Sequence, residues 1–324
     1  MKKEKKKRGW RFIIRWIAWV LFVQFILINI SAALYAYKFT HLYNAGLNSP
    51  NEIPSRNIFA KTWRLFAGPR FYKLPESEKP VFPYDVVSLK TKNDFLETWY
   101  GRADSAARGT VILFHGLMAN KAAVLQQAYE FRYWGYNVML VDARSHGNNS
   151  GNNTTIGFRE SEEVALAYNY VKGAGEQKIF LWGISMGAVE IMKSVAEDKL
   201  QPAGIILEMP FLSLQSHIKS RVSTIGFPKQ PFGFFITTWI GLERGFNALN
   251  FNVTHYAKEI NCPVLMQHGS RDQLAPINEA ESIYNAIAAK NKKLVIYEGA
   301  NHESFLQRDP VLWRKEVESF LERE

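Results

Sequence analysis

A chain of 324 residues has room for one large α/β domain with additions and too little for two. Its 47% hydrophobic and 22% charged content excludes a disordered chain, and its single cysteine, Cys262, excludes an intramolecular disulfide and a multi-cysteine metal site. The formal charge is +10, but residues 1–15 hold eight Lys and Arg against Glu4, which leaves only +3 downstream and argues against a nucleic-acid-binding face.

Behind this basic tail, residues 16–37 are apolar apart from Gln24, Asn29 and Ser31. As a helix they extend about 33 Å, against a hydrocarbon core of about 30 Å. Trp10, Trp16 and Trp19 lie near one end and Tyr35, Tyr37 and Tyr43 near the other, where amphipathic rings favour the interface. The pattern predicts a single transmembrane anchor, with a cytoplasmic tail (1–15) and the rest of the chain outside the cytoplasm. Two other readings compete. A cleaved signal peptide has a small-residue site in Ser31-Ala32-Ala33, although the apolar stretch runs past it; a buried core helix needs no such basic prefix. Residues 38–84 read as a connector. Asn44, Asn48, Pro50, Asn51 and Pro54 are breakers, followed by Ile58, Phe59, Trp63 and Phe66 interleaved with Lys61, Arg64 and Arg70. That stretch is either a patch lying on an anionic membrane surface or a helix packed on the domain.

From residue 85 onward, short β-rich runs alternate with helical stretches. Runs 86–89 and 95–100 form an opening pair around the turn Lys92-Asn93-Asp94, followed by runs at 110–114, 138–141, 178–182, 204–207, 264–267 and 294–297. Helical patterns cover 122–133, 161–171, 186–196, 277–288 and 310–321. This alternation predicts an α/β fold, a doubly wound and mostly parallel sheet, over 85–324. A cap insertion at about 211–258 interrupts the rhythm with Phe227, Phe232, Phe234, Phe235, Trp239 and Ile240. Its glycines and prolines (Gly226, Pro228, Pro231, Gly233) disfavour a long rigid helix there, and its rings are candidates for the wall of an apolar substrate pocket.

Three residues carry the chemistry. Gly183-Ile184-Ser185-Met186-Gly187 is a G-x-S-x-G sequence directly after a predicted strand and directly before a predicted helix. That setting exposes a serine hydroxyl on a sharp turn and places a helix N-terminus behind it. A serine nucleophile needs a base, and the base an orienting carboxylate. Asp272 and His302 follow later predicted strands, in the chain order serine, acid, histidine. The helical zinc motif H-E-x-x-H is absent.

With these residues in place, the chain resembles the α/β-hydrolase superfamily, in its esterase, monoacylglycerol lipase and serine aminopeptidase-like branch, over about residues 85–322. His115-Gly116-Leu117-Met118 is similar to the family's oxyanion loop, which implies that the backbone N–H groups of Leu117 and Met186 form the oxyanion hole. Asp142-Ala143-Arg144-Ser145-His146-Gly147 resembles D-x-R-G-H-G, with Ser145 where a glycine is usual, and His268 through Pro276 resembles the segment whose Asp is the triad acid. The resemblance implies acyl transfer to water without metal or organic cofactor. The expected partners are the membrane and a small-molecule or lipid ester substrate, with no nucleic acid. An amide or peptide substrate is the enzymatic alternative, and a catalytically silent membrane scaffold the non-enzymatic one.

Overall fold

The computed structural model describes residues 2–44, 57–92, 94–224 and 226–324. The breakers Asn48, Pro50, Asn51 and Pro54 and the turn residue Asn93 lie outside them. Helix α1 (Lys2–Phe39) opens the chain, and its stretch Gly9–Phe39 is long and apolar enough to cross a membrane. Residues 9–27 are exposed on every side. From residue 28 the helix turns into the protein, with Ser31, Ala32, Ala36 and Phe39 buried.

The connector is tied down at both of its described ends. Strand β1 (Leu42–Tyr43) precedes helix α2 (Ile58–Ala67), and strand β2 (Phe71–Tyr72) pairs with β1 in parallel. The Asn57 side chain caps α2 by accepting from the Phe59 N–H at 2.9 Å. Its last turn docks on α1, where Ser31 Oγ donates to the Phe66 carbonyl and Tyr35 OH to the Leu65 carbonyl at 2.7 Å. The opposite face leaves Ile58, Phe59 and Trp63 in solvent, with Phe59 80% exposed.

The central sheet has eight strands: β3 (Tyr84–Lys90), β4 (Phe95–Gly101), β5 (Thr110–Phe114), β6 (Asn137–Val141), β7 (Ile179–Ile184), β8 (Gly204–Glu208), β9 (Val264–Gly269) and β10 (Lys292–Tyr297). Their order is β10-β9-β8-β7-β5-β6-β4-β3, parallel except where β4 meets β3 and β6. Strands β5, β7 and β8 are buried almost throughout, which is why they read as unbroken apolar runs.

Helices cover both faces. They are α3 (Leu125–Tyr133), α4 (Ser161–Gly173), α5 (Met186–Glu197), α6 (Leu214–Thr224), α7 (Lys229–Arg244), α8 (Val253–Ala257), α9 (Ile277–Ala286), α10 (Phe305–Arg308) and α11 (Pro310–Arg323). Alternate strand residues feed two separate cores, as a period of two requires. Val111, Leu113, Phe180, Trp182 and Ile206 pack with α3 and α11, whereas Ile112, Phe114, Leu181, Ile205 and Leu207 pack with α4, α5 and the cap. Full burial of each such side chain stabilises the fold by roughly 2 kcal/mol. The helical pattern at 122–133 divides into a 3-10 turn, Lys121–Val124, and α3, because Asn120 caps the turn through Ala122 N–H while Lys121 is drawn into ion pairs with Glu97 and Asp142.

The cap departs from expectation in one respect. The Gly/Pro-rich stretch breaks the helix at Gln230, which is non-helical, but from Pro231 the helix α7 continues to Arg244. Pro231 lies in the first turn, where its missing N–H breaks no bond, and Gly233 faces α6, where a Cβ would crowd the Lys219 side chain. The cap aromatics turn toward α1. Phe235 packs edge-on against Phe25 with ring centroids 5.8 Å apart, and Phe227 meets Tyr35 at 6.4 Å. Trp239 Nε1 donates to Asn29 Oδ1 at 3.4 Å, and Arg244 Nε to Thr40 Oγ1 at 2.7 Å. Phe234 is half-exposed. The expectation that Phe234 and Phe235 line an acyl pocket is therefore corrected: these rings serve the joint with α1 and the surface.

Candidate active site

The sheet changes direction between β5 and β7: the chain moves from β5 to β6 on one side and from β7 to β8, β9 and β10 on the other. Side chains beyond the carboxyl ends of the strands converge at such a switch. Phe114 pairs with Gly183, so the loops after β5 and β7 emerge level with each other.

Ser185 stands between β7 and α5 with φ 55° and ψ −110°, a conformation that costs of order 1–3 kcal/mol in a non-glycine residue. Neighbouring bonds hold it there: its N–H donates to the Glu208 carbonyl at 2.7 Å and its carbonyl accepts from Val189 N–H at 3.2 Å. The flanking glycines are a steric necessity. A Cβ on Gly183 would lie 2.6 Å from the Gly187 carbonyl, and one on Gly187 would lie 2.9 Å from the His115 oxygen and closer still to that of Phe114.

The three residues singled out from the sequence meet. His302 Nε2 lies 3.0 Å from Ser185 Oγ, and His302 Nδ1 lies 2.7 Å from Asp272 Oδ2. Asp272 Oδ1 accepts from the N–H groups of Leu274 and Ala275 at 2.8 and 2.9 Å. Burial opposes the Asp272 charge, but the hydrogen bonds from His302 and Ala275 outweigh it and hold its pKa below the ordinary value. Ser185 and Asp272 are buried, while the His302 side chain keeps 17% of its surface in solvent.

The loop after β5 lies against the serine, since a Cβ on Gly116 would be 3.6 Å from Ser185 Cβ. Leu117 follows it directly, and Met186 is the first residue of α5, where N–H groups have no acceptor within the helix. Two buried histidines brace this loop. His115 Nε2 accepts from Ala143 N–H at 3.0 Å and His146 Nε2 from Met118 N–H at 3.2 Å. Burial pushes both pKa values down to about 4, so they work as neutral acceptors. Ser145 adopts φ 62°, the left-handed region that makes glycine usual there, and its hydroxyl offsets the strain by donating to the Asn153 carbonyl at 2.9 Å.

Three neighbouring residues escaped the sequence reading. Glu208 ends β8 behind the elbow, and its Oε1 accepts from the indole N–H groups of Trp182 and Trp313 at 3.0 and 2.6 Å. Burial pushes its pKa up to about 7. A charged residue closing an apolar strand was the signal available for it. His217 and Arg221, one turn apart on α6, form the other feature. Arg221 Nε donates to His217 Nε2 at 3.0 Å, and the His217 ring stacks on Phe211. Burial, aided by the charges of Arg221 and His302, keeps His217 neutral. The acidic cluster Glu76, Glu97 and Asp142 is already neutralised by the Lys121 ammonium, which occupies the place a cation would take.

Comparison with known proteins agrees with this fold. The family model described as Hydrolase_4, serine aminopeptidase S33, matches residues 105–232 and 237–309. The YqkD protein of Bacillus subtilis is 26% identical over 66% of this chain and 71% of its own length. The lysophosphatidylserine lipases ABHD12 of Danio rerio and Xenopus tropicalis are each 25% identical, over 60% and 70% of this chain; the chain spans only 51% and 60% of their length. Among solved structures, the Pyrococcus furiosus esterase Pf2001 superposes with a TM-score of 0.66 at 24% identity, covering 78% of this chain and 96% of its own. The Paleococcus ferrophilus monoacylglycerol lipase gives 0.54 at 18% identity, over 71% of this chain and 99% of its own. At those identities the structures speak to the fold. The family match, spanning well over half of the chain, goes further: this chain belongs to the Hydrolase_4 family of α/β-hydrolases.

Proposed function

We propose that the chain is a membrane-anchored serine hydrolase that cleaves carboxylic esters, single-chain lipid esters among them, through an acyl-enzyme on Ser185. The observation that carries this reading is the unbroken hydrogen-bonded line from Ser185 through His302 to Asp272. His302 takes the Ser185 proton as Oγ attacks the ester carbonyl, and the Asp272 carboxylate stabilises the imidazolium that forms. The Leu117 and Met186 N–H groups receive the charge developing on the carbonyl oxygen, where removal of one such donor typically costs ~10²–10³ in rate. His302 then returns the proton to the departing alcohol, and water resolves the acyl-enzyme by the same steps.

The preference for lipid esters rests on the relatives named as lipases and on α1. Residues 1–15 form the cytoplasmic tail, 16–37 the anchor, 38–84 the connector and 85–324 the hydrolase domain, with the cap at about 211–258. The stretch exposed on all sides, residues 9–27, would fill about 28 Å of bilayer. Its last residues, from Phe25 onward, already meet the cap, so the cap would sit at the membrane surface beside Ile58, Phe59 and Trp63 of α2. A lipid ester would then reach the site without leaving the interface.

The test is hydrolysis of p-nitrophenyl esters of increasing chain length beside amino-acid arylamides, together with fluorophosphonate labelling. Ser185→Ala and His302→Ala should each lower turnover by several orders of magnitude, and the double variant by little more, because such residues act as a unit. Near wild-type ester hydrolysis by purified Ser185→Ala would overturn the mechanism. Arylamide turnover exceeding that of every ester would move the substrate to the amides.

A further inference from the structure

The turn that carries Leu117 is strained. Met118 adopts φ 62°, in the left-handed region that a bulky side chain rarely enters, and Ala119 N–H closes the turn on the Gly116 carbonyl at 3.2 Å. His115 and His146 brace its front, as described above. Its rear is formed by Asn120 and Lys121, both buried, and their partners come from outside the hydrolase domain. Asn120 Nδ2 donates to the carbonyls of Leu74 and Pro75 at 2.9 and 3.1 Å, in the connector between β2 and β3, while its Oδ1 caps the 3-10 turn. Lys121 Nζ reaches Glu76 of the same connector, Glu97 of β4 at 2.8 Å and Asp142 at the end of β6 at 2.6 Å. Its own N–H donates to Asp142 Oδ1 at 2.7 Å.

A strained backbone persists only where its surroundings over-determine it. Here the front and the rear of the turn are fixed by different parts of the chain. Burial opposes the Lys121 charge, and the carboxylates of Asp142, Glu76 and Glu97 outweigh it and raise its pKa. Three carboxylates exceed what one ammonium needs for neutrality, and Glu97 and Asp142 already supply that. Glu76 is therefore not explained by charge balance. Its distinction is its position: it ties Lys121 to the connector, and Asn148 Nδ2 fastens it to Glu97 by donating to both carboxylates at 3.0 and 3.1 Å. The connector has a further tie, from Lys73 Nζ to the Asn149 carbonyl at 2.7 Å, which runs to the loop after β6. Gly116 lies against Ser185, so a shift of the turn at Asn120 and Lys121 is passed to Leu117 beside the nucleophile. An oxyanion donor works only when it lies where the charge will develop, and a small displacement forfeits much of its effect.

We propose that Glu76 and Asn120 are positioning residues for the reaction, through which the connector clamps the rear of the Gly116–Ala119 turn and holds the Leu117 N–H in place for the oxyanion. The segment that joins α1 to the sheet is then part of the catalytic unit as well as a tether. The inference rests on the serine-hydrolase reading above and on the oxyanion hole assigned there.

The experiment uses full-length protein in detergent micelles and compares wild type with Glu76→Gln, Glu76→Asp, Asn120→Asp and Lys73→Met. One readout is kcat and KM on p-nitrophenyl butyrate, referred to active sites counted by fluorophosphonate titration. The other is Ki for an alkyl trifluoromethyl ketone, whose adduct with a serine hydroxyl places an oxyanion where the tetrahedral intermediate would. Glu76→Gln and Asn120→Asp should each lower kcat about ten-fold, raise Ki by a similar factor and leave KM within about two-fold. Glu76→Asp keeps the charge and should recover part of both losses. Lys73→Met cuts the other tie, and should lower the melting temperature while leaving kcat and Ki within about two-fold of wild type. Wild-type kcat and Ki in Glu76→Gln overturn the proposal. A fall in kcat per titrated site with unchanged Ki does so too, because the loss then lies outside the oxyanion turn. Equal effects of Lys73→Met and Glu76→Gln on kcat and Ki would refute the clamp in favour of general docking of the connector. If Asn120→Asp does not fold, Glu76→Gln decides alone, since the Glu76 side chain keeps 12% of its surface in solvent and leaves Lys121 two carboxylates. Failure of the hydrolase reading itself shows separately, as undiminished p-nitrophenyl butyrate turnover in Ser185→Ala.

Discussion

Gly183→Ala tests how tightly the turn that carries Ser185 is built. A Cβ at this position would stand 2.6 Å from the Gly187 carbonyl and 2.7 Å from Ile191 Cδ1, whereas ordinary contact begins at 3.4 Å. Ile191 Cδ1 is the end of a flexible side chain and can turn away. The Gly187 carbonyl is backbone in the first turn of α5, so relief requires that turn to retreat by about 0.8 Å. Ser185 opens the same turn and moves with it, which carries its Oγ from 3.0 Å to nearly 4 Å from His302 Nε2, beyond the hydrogen-bond range of about 2.6–3.2 Å. A misplacement of about 1 Å costs on the order of 10² in rate. Overpacking itself costs about 1–3 kcal/mol, which in a domain of this size lowers the melting temperature by roughly 3–10 °C. The assay is kcat on a short p-nitrophenyl ester, and the rate of fluorophosphonate labelling, at a temperature well below both transitions. Gly173→Ala is the control, since nothing lies within 4 Å of its Cβ and the change improves helix propensity. Wild-type turnover and an unchanged melting temperature in Gly183→Ala would refute the steric account of the G-x-S-x-G sequence.

Glu208→Gln should alter the pH dependence of stability. The folded protein holds the Glu208 proton up to about pH 7 while the unfolded chain releases it near 4.5, so the stability this group contributes is lost as pH rises through that window. The variant should gain on wild type by up to about 3 kcal/mol between pH 4.5 and 8, seen as diverging urea midpoints; parallel midpoints would mean that Glu208 does not titrate there. Asp272→Asn should cut ester turnover by about 10⁴ while the Ser185 hydroxyl stays in place; full activity would assign the orientation of His302 to another carboxylate. Phe235→Ala with Trp239→Ala should lower the melting temperature and expose the α1–α7 joint to protease with little effect on p-nitrophenyl acetate turnover, and a selective loss of long-chain esters at unchanged stability would instead return these rings to the acyl site. External protease on spheroplasts should cut the hydrolase domain and spare the N-terminus; cleavage only after lysis would reverse the orientation.

Most of the sheet was legible because parallel strands buried on both faces write themselves as apolar runs. The run at 110–114 coincides with β5, and the others differ from their strands by one or two residues at an end. Ser185, Asp272 and His302 were legible for a different reason: each follows such a run, and a doubly wound sheet brings the ends of its strands to one edge. The cap was legible as an insertion but not in its orientation. Its aromatic residues mark a buried face without naming what covers it, and the partner, α1, lies some two hundred residues earlier in the chain. Strands β1 and β2, of two residues each, leave no period to detect. Arg221 was equally hidden, since a lone arginine on a helix of mixed polarity reads as a solvent-facing one until its bond to His217 is seen.

The packing of α7 against the second half of α1 makes the helix two modules in one rod. Residues 9–24 are exposed and would be exchangeable for any apolar segment of similar length, whereas Phe25 already packs on Phe235. Residues 25–40 are not: Phe25, Asn29, Tyr35 and Thr40 are partners of Phe235, Trp239, Phe227 and Arg244, and a foreign segment there would take away those ring contacts and hydrogen bonds. The unit that packs together therefore begins inside the hydrophobic run, near residue 25, rather than where that run ends. Cutting the chain after residue 37 would take away a wall of the cap, whereas cutting it near residue 24 would remove the exposed apolar stretch and leave the joint with the cap intact.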